Sequence, residues 1–373
     1  MNKSSSFIIS NPKKTPFYDI HERNRAKIVE FAGFLMPVQF RGIMEEHRRV
    51  RSSVGLFDIT HMGEFEVWGK EAQNFIQKMT TNDVSKLAPY QVQYSCMCYD
   101  HGGIVDDLLV YKLPDHFLLV VNGDCLEKDF RWLSDHLSGD LELKNASDET
   151  SLLAIQGPKA EKVLQKLTDY NLSELKFYWS AWGKINGVQM LFSRTGYTGE
   201  DGFELYFPPT HAEKMWNAVT EAGREFDIEP IGLGARDSLR MEMKYMLYGN
   251  DIDQTTNPLE AGLGWIVKLD KGDFIGREPI LKLKEEGIGR KLVAFELTDK
   301  AFPRQHYPIH KEGKKIGEVT SGTFSPSLGK GIGLGYVPVE YSKTGTGLDI
   351  MIRGKPNKGI VIKPPFYKDF THK

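Results

Sequence analysis

Two adjacent carboxylates, Asp106 and Asp107, sit between apolar residues in the stretch IVDDLLVYKL, directly after the turn sequence DHGG. Upstream of that turn runs QVQYSCMCY, a second β-prone stretch, so the pattern predicts a hairpin. Strand side chains alternate faces, so the two aspartates point in opposite directions and cannot share a proton as a dyad. One of them stands alone in an apolar setting, where an ionised carboxylate needs a compensating partner. With the turn at Asp100-His101-Gly102-Gly103, Tyr99 pairs with Ile104, Cys96 with Asp107 and Tyr94 with Leu109. Tyr94, Asp107 and Tyr111 then share one face, and Asp106 shares the other with Met97 and Tyr99. A three-residue loop with a bulge would reverse that parity. An acid framed by two tyrosines suits a flat, nitrogen-rich ligand. The competing reading is that either aspartate caps a turn or pairs with an arginine.

Two further constellations carry chemical potential. SRTGYTGEDGFEL places Tyr197 at the tip of a turn with Gly196, Gly199 and Gly202, and Glu204 at the start of the return strand. No Gly-Lys-Ser/Thr opens a helix here, so it is not a phosphate loop. An acid near an aromatic suits a ligand edge rich in N–H donors, and a plain glycine hairpin is the alternative. IGLGARDSLRMEMKYMLYGND predicts a helix with Leu239, Met243 and Met246 on one face and Arg236 in the first turn. A cation there opposes the helix dipole, which calls for an anionic partner, either a ligand or a carboxylate of the protein. Arg240 and Glu242 read as surface or core pairing. His61 has no paired nucleophile or second histidine and reads as structural. The 10 histidines and three cysteines show no metal-ligand spacing.

The elements that must hold these residues follow from periodicity. Residues 43–54 predict a helix with His47, Arg48, Arg49 and Arg51 on a charged face. A loop and strand at 54–69, a helix at EAQNFIQKM, the hairpin, the buried strand HFLLVVNG and the helix EKDFRWLSDHL come next. That order predicts a small α+β unit with an antiparallel sheet. A similar pattern returns at 152–221, so two related α+β units are expected. From about Arg290, short strands and Gly-rich turns predict a small β-barrel or sandwich. The expected division is 1–280 and 281–373.

Composition limits the function classes. The 373 residues suffice for two or three domains. A formal charge of −2 offers no basic field for nucleic acid. No apolar run approaches the roughly 18 residues a membrane helix needs. The start, MNKSSSFIISNPKK, has neither the apolar core of a signal peptide nor the Arg-rich look of a transit peptide. The expectation is a cytoplasmic protein with free thiols, or a mitochondrial one if the host is eukaryotic.

Several stretches in family order resemble the glycine cleavage T-protein family, the folate-dependent aminomethyltransferases. They are FAGFLMPVQF, VGLFDITHMGEF, YSCMCYDHGGIVDDLLVYK, AIQGPKA, SRTGYTGEDGFE, GLGARDSLRMEM, LYGNDIDQTTNPLE and TSGTFSPSLGKGIGLGYV. The resemblance spans about Thr15 to Tyr367 and implies three domains around a central opening for tetrahydrofolate, the first domain discontinuous. It implies transfer of the methylene carbon of an aminomethyl group, carried on the dihydrolipoyl arm of lipoylated H-protein, to tetrahydrofolate. Ammonia and 5,10-methylenetetrahydrofolate are released, and no metal is expected. It implies Asp107 as the catalytic carboxylate, Glu204 as the pterin-binding acid and Arg236 as a folate contact. Met62, Tyr94, Tyr111, Tyr178, Tyr197 and Trp265 are expected to line the folate pocket, and Arg48 or Arg51 to dock the H-protein. Phe34 departs from the tryptophan common in the family. Sulfoniopropionate demethylases of the same fold carry Asn-Asp-Pro where this chain has Asp106-Asp107-Leu108. The tRNA-modification-linked folate proteins carry a cysteine that Arg194-Thr-Gly-Tyr197-Thr-Gly-Glu200-Asp201 lacks. A demethylase of a small N-methylated substrate and a non-enzymatic folate binder are the remaining alternatives.

Overall fold

The computed structural model describes residues 12–372. The stretch 1–11, on which the leader reading rests, lies outside them. A five-stranded sheet runs in the order Val92–Cys98, Ile104–Lys112, His116–Val121, Gly63–Trp68, Glu142–Asn145. Helices Ala72–Met79 and Leu126–Asp135 cover one face, burying Phe75, Ile76, Met79 and Leu133 against Phe65, Met97, Leu108 and Val110. The spacing of those helical residues is the reason: i, i+3/i+4 places them on one stripe. A six-stranded sheet repeats this plan with strands Ser180–Ile185, Val188–Ser193, Gly202–Phe207, Ser151–Gln156, Gly55–Asp58 and Glu229–Pro230. Its helices Ala160–Gln165 and Ala212–Gly223 pack Val163, Leu164, Met215 and Val219 onto it. Strand Gly55–Asp58 precedes the five-stranded sheet in sequence but pairs with Ser151–Gln156. The five-stranded unit is thus inserted into the other. Residues 54–69 hold two strands, one in each sheet, where the sequence suggested a loop and one strand.

The C-terminal part is a closed barrel, in the order Arg290–Leu297, Lys330–Pro338, Lys314–Ser325, Pro308–Lys311, Gly347–Ile352, Lys355–Ile362. Closure removes every unpaired edge, which short Gly-rich strands permit. Leu292, Ala294, Ile332 and Leu334 of the barrel share a core with Cys96, Cys98 and Ile104 of the hairpin and with Met241 and Met246.

The hairpin ladder pairs Tyr94 with Leu109, Cys96 with Asp107 and Met97 with Asp106. The turn departs from the expected one. Ile104 pairs with Cys98, not with Tyr99, and Val105 is an extra residue absorbed as a bulge. Tyr99 and Gly103 close a three-residue loop through a 2.8 Å bond from Tyr99 N–H to Gly103 O. Loop and bulge each shift the register by one residue, so parity is kept, where the sequence reading expected a bulged three-residue loop to reverse it. Gly103 is required, because a Cβ there would lie 2.0 Å from Gln254 O.

Helix Ile43–Ser52 does not present a free charged face. His47 is fully buried, and the Arg51 side chain is 7% exposed. Arg51 binds Glu242 Oε2 at 2.9 Å and Glu200 Oε1 at 2.8 Å. Glu242, in helix Leu233–Met243, also accepts bonds from Ser325 Oγ and from Ser327 Oγ at 2.8 Å, both from the barrel side. Burial pushes the Glu242 carboxyl up, but the bond from His47 and the charge of Arg51 outweigh it and hold it at about 2. Arg51 is therefore structural and unavailable for docking; Arg48 stays exposed. Met246 lies beyond the helix end at Met243, yet is still buried.

Arg51→Met leaves Glu242 and Glu200 buried without their cation. The expected loss is about 3–5 kcal/mol of unfolding free energy, measured by chemical denaturation. Arg48→Met, at an exposed site, is expected to change stability by less than about 0.5 kcal/mol in the same experiment.

Candidate active site

The two sheets, the loop after Met243 and the segment 262–265 enclose a cavity of about 780 Å³. That is ample for a drug-sized ligand. Its wall brings together Met62, Tyr94, Asp107, Tyr178, Tyr197, Glu204, Arg236 and Trp265, residues spread over two hundred positions of sequence. Tyr111 is the exception. It is fully buried behind the wall, and its hydroxyl bonds to Tyr206 at 2.8 Å and to Ser193 at 3.1 Å. Face parity placed it correctly, but Tyr206 from the opposing sheet stands across it, with ring centroids 5.7 Å apart.

Asp107 comes from the five-stranded sheet and Glu204 from the six-stranded one. Tyr94 donates its hydroxyl to Asp107 Oδ2 at 2.8 Å. Asn122 Nδ2 lies 3.1 Å from Asp107 Oδ1, 3.1 Å from the Asp107 carbonyl and 2.9 Å from Asp106 Oδ1. The Asn122 backbone N–H donates to Asp106 Oδ2 at 3.1 Å. Two aspartates on opposite faces are thus clamped by one amide at the end of the next strand. Burial raises the Asp107 carboxyl, its coupling to the neighbouring Asp106 carboxyl raises it further, and Tyr94 and Asn122 hold the net value at about 7. Burial, then Asp129, keeps Asp106 well above the ordinary carboxylate range.

Behind this pair, donor atoms of Asp106, Cys125 and Asp129 lie within 4.8 Å of one another. No sequence spacing announced that cluster. Lys128 Nζ is 3.2 Å from Asp129 Oδ1 and supplies its positive charge. Burial raises the Asp129 carboxyl to about 6, against the lowering effect of its bond with Asp106 and of the Lys128 ammonium. The three cysteines are buried and free.

Glu204 takes both of its bonds on Oε2, from Thr195 Oγ1 at 2.6 Å and Tyr206 at 3.5 Å. Oε1 has no partner among the described residues and offers a free acceptor. Burial raises this carboxyl as well. Arg236 forms no ion pair among the described residues; its guanidinium sits 4.5 Å from the centroid of the Tyr197 ring. The intramolecular salt bridge considered for it is absent there. The Tyr197 hydroxyl bonds to the Met246 carbonyl, which fixes the tip of the glycine-rich turn. That turn also needs Gly199, at φ 82°, where a Cβ would lie 2.4 Å from the Met243 sulfur. Trp265 is 62% exposed at the cavity mouth and stacks on Tyr94 at 5.9 Å. Tyr178 adopts φ 61° and carries its ring into the wall.

Asn122 and His61 are two of the wall residues that sequence reasoning missed. Asn122 was visible only as a polar residue ending the apolar run HFLLVVNG. His61 read as structural, yet it lines the cavity with Nδ1 unpartnered among the described residues. Burial, with help from Arg236, lowers it to about 3, so it faces the cavity neutral.

Comparison with known proteins places the chain in a family. Residues 17–271 match the family model "GCVT N-terminal domain", and residues 290–368 match "Glycine cleavage T-protein C-terminal barrel domain". The chain belongs to the glycine cleavage T-protein family. It is 51% identical to an aminomethyltransferase of Desulfitobacterium hafniense over 358 residues, covering 95% of this chain and 98% of the relative. It is 55% identical to an aminomethyltransferase of Chloroherpeton thalassium, again covering 95% and 98%. The solved glycine cleavage system aminomethyltransferase T from Bartonella henselae superposes with a TM-score of 0.91 at 33% identity, covering 97% of this chain and 99% of that one.

The raised Asp107 carboxyl has a consequence for stability. Its folded value of about 7 exceeds the ordinary 3.8, so the folded state binds the extra proton between those values. Stability from this group is present below the lower value and is lost as pH rises through the upper one. Asp107→Asn keeps an acceptor for Asn122 and a partner for Tyr94 without the buried charge. The variant is expected to be more stable than the parent by ~1–3 kcal/mol at pH 8, with the gain vanishing near pH 4. Denaturation at the two pH values measures it.

Proposed function

We propose that the cavity binds tetrahydrofolate and that Asp107 carries the aminomethyl transfer. The chain is an aminomethyltransferase of glycine cleavage, and the observation that supports this site is the Asp107 carboxyl, buried on the cavity wall and titrating near neutrality. The reaction forms two carbon–nitrogen bonds to the reduced folate, at N5 and N10, whose two displaced protons leave with ammonia and with the lipoyl thiol. It breaks the carbon–sulfur bond to the lipoyl arm and the carbon–nitrogen bond to departing ammonia. A carboxylate fixed by Tyr94 and Asn122 serves this in two ways. It stabilises the positive charge that develops on the transferred carbon, and at about 7 it exchanges a proton with a pterin nitrogen. Water exclusion strengthens the first effect.

Glu204 takes the role of pterin acceptor. Its free Oε1 suits an N–H donor at the ligand edge, and Thr195 holds its other oxygen in place. Tyr94, Tyr178, Tyr197 and Trp265 offer flat faces for the ring system, with Met62 filling between them. Arg236, free of a protein carboxylate, is the cation for an anionic part of the ligand. Tyr111 acts through Tyr206 and Thr195 and not by touching the ligand. The second substrate is the aminomethylated lipoyl arm of the H-protein, and exposed Arg48 is the remaining sequence-derived docking residue. No metal enters this reading, and no described helix is long and apolar enough to cross a membrane.

For the division of the chain, we propose a folate-binding region to residue 280 and a barrel region from 281. Helix Arg277–Glu286 bridges the two, and the family models end at 271 and resume at 290. A cytoplasmic setting is the reading carried forward.

Ammonia release from aminomethylated H-protein, with and without tetrahydrofolate, tests the activity. Asp107→Asn is expected to reduce turnover by about 10²-fold or more while tetrahydrofolate affinity stays within about tenfold. Full turnover in the variant removes Asp107 from the chemistry. Glu204→Ala is expected to weaken tetrahydrofolate binding by roughly 1–3 kcal/mol, read by titration calorimetry. Unchanged affinity rejects the acceptor role.

A further inference from the structure

Lys244 follows directly on helix Leu233–Met243 and closes it in the left-handed region, at φ 60°. That backbone conformation favours glycine, and a side chain there costs stability that glycine would not lose. The side chain that incurs the cost lines the cavity, beside Gly262, Leu263 and Trp265. Gly262 and Trp265 are exposed, so the ammonium faces the open end of the cavity.

Its bonding is incomplete. Among the described residues Nζ donates one hydrogen bond, to the Ala261 carbonyl at 3.2 Å. It has three hydrogens to give. No carboxylate among the described residues lies within ion-pair distance. The acid whose field reaches it is Asp251, which is already held by Arg240 at 2.6 Å and by Thr320 at 2.6 Å. Lys291 adds a second positive charge nearby. Burial lowers the Lys244 ammonium to about 8, so it is still a cation at neutral pH.

Lys271 shows what a structural lysine in this chain looks like. Burial lowers it equally, to about 8. Yet it donates to three carbonyls, those of Gln77, Thr80 and Asn82, and its bonding is complete. Lys244 has the same desolvation without the same compensation. A capping role at the helix C-terminus is served by its backbone N–H, which bonds to the Arg240 and Met241 carbonyls, and does not need the side chain on the cavity wall.

We infer that Lys244 is a binding residue for a carboxylate of the ligand's acidic tail, at the open end of the cavity. This rests on the folate reading. A reduced folate couples a flat pterin, suited to the Asp107 and Glu204 interior, to a glutamate tail whose carboxylates lead outward. A cation short of partners at the mouth recognises that tail, as a second positive contact besides Arg236.

The test compares two ligands, tetrahydrofolate and tetrahydropteroate, which lacks the glutamate. Each is titrated calorimetrically into the parent protein, Lys244→Gly and Lys244→Met. Lys244→Gly relieves the backbone, so it folds, and a thermal melt no lower than the parent's verifies it. Lys244→Met keeps the side-chain bulk and the backbone conformation but removes the charge. Both variants are expected to bind tetrahydrofolate about fivefold to tenfold more weakly, with tetrahydropteroate changed less than about twofold. Equal weakening of both ligands, or of neither, overturns the assignment of Lys244 to the tail. If the parent binds neither ligand, the folate reading itself fails and the tail assignment falls with it.

Discussion

The arrangement hangs on one buried ion pair, Arg51 with Glu242. Each partner comes from a different helix, and each reaches further. Arg51 also binds Glu200 in the glycine-rich turn, and the Tyr367 ring covers its guanidinium at 4.2 Å. Glu242 also binds barrel serines and His47. A charge in the interior is tolerable only when its partner and its remaining hydrogen-bond capacity are all supplied. That requirement sets the mutual position of helix Ile43–Ser52, the turn carrying Tyr197 and the barrel. The cavity lies among the elements so held, so its shape is a consequence of satisfying buried charge.

Arg240 repeats the principle two residues earlier. It is 1% exposed and binds Asp237, Asp251 and Ser321. Helix Leu233–Met243 therefore turns two charged residues into the protein and leaves Arg236 toward the cavity. Of Arg240, Glu242 and Arg236, only Arg236 lacks a partner of opposite charge among the described residues. The contrast between satisfied and unsatisfied charge on the same helix separates architecture from ligand contact more sharply than exposure does.

The Asp107 site runs the opposite way. Here burial is only partly compensated, by one tyrosine hydroxyl and one shared amide, and a second acid sits behind. The carboxyl is consequently held at about 7, well above its ordinary range, at a cost to stability that the rest of the core offsets. Asn122 is central because one amide serves both aspartates; without it each would face its neighbour's charge with fewer donors.

Much was legible before folding was considered. Strand alternation put Asp106 and Asp107 on opposite faces and Tyr94 beside Asp107, and these relations hold because parity is a local property of the backbone. The α+β repeat and the barrel were legible for the same reason, in the periods of their apolar residues. The turn type was not, since Gly103 lies against the Gln254 carbonyl and the Ile104 N–H bonds to the Asp253 and Thr256 carbonyls, partners far away in sequence. Nor was the fate of Arg51, His47 and Tyr111, whose exposure depends on which distant element covers them. Asn122, His61 and the Asp106–Cys125–Asp129 cluster gave no pattern, because they meet only through strand pairing and helix placement. The sequence alone determined which residues could do chemistry and which way each points within its own strand or turn. Tertiary structure decided which of them share a cavity, which charges are compensated and which are left for a ligand, because those outcomes depend on distances between segments that no local rule sets.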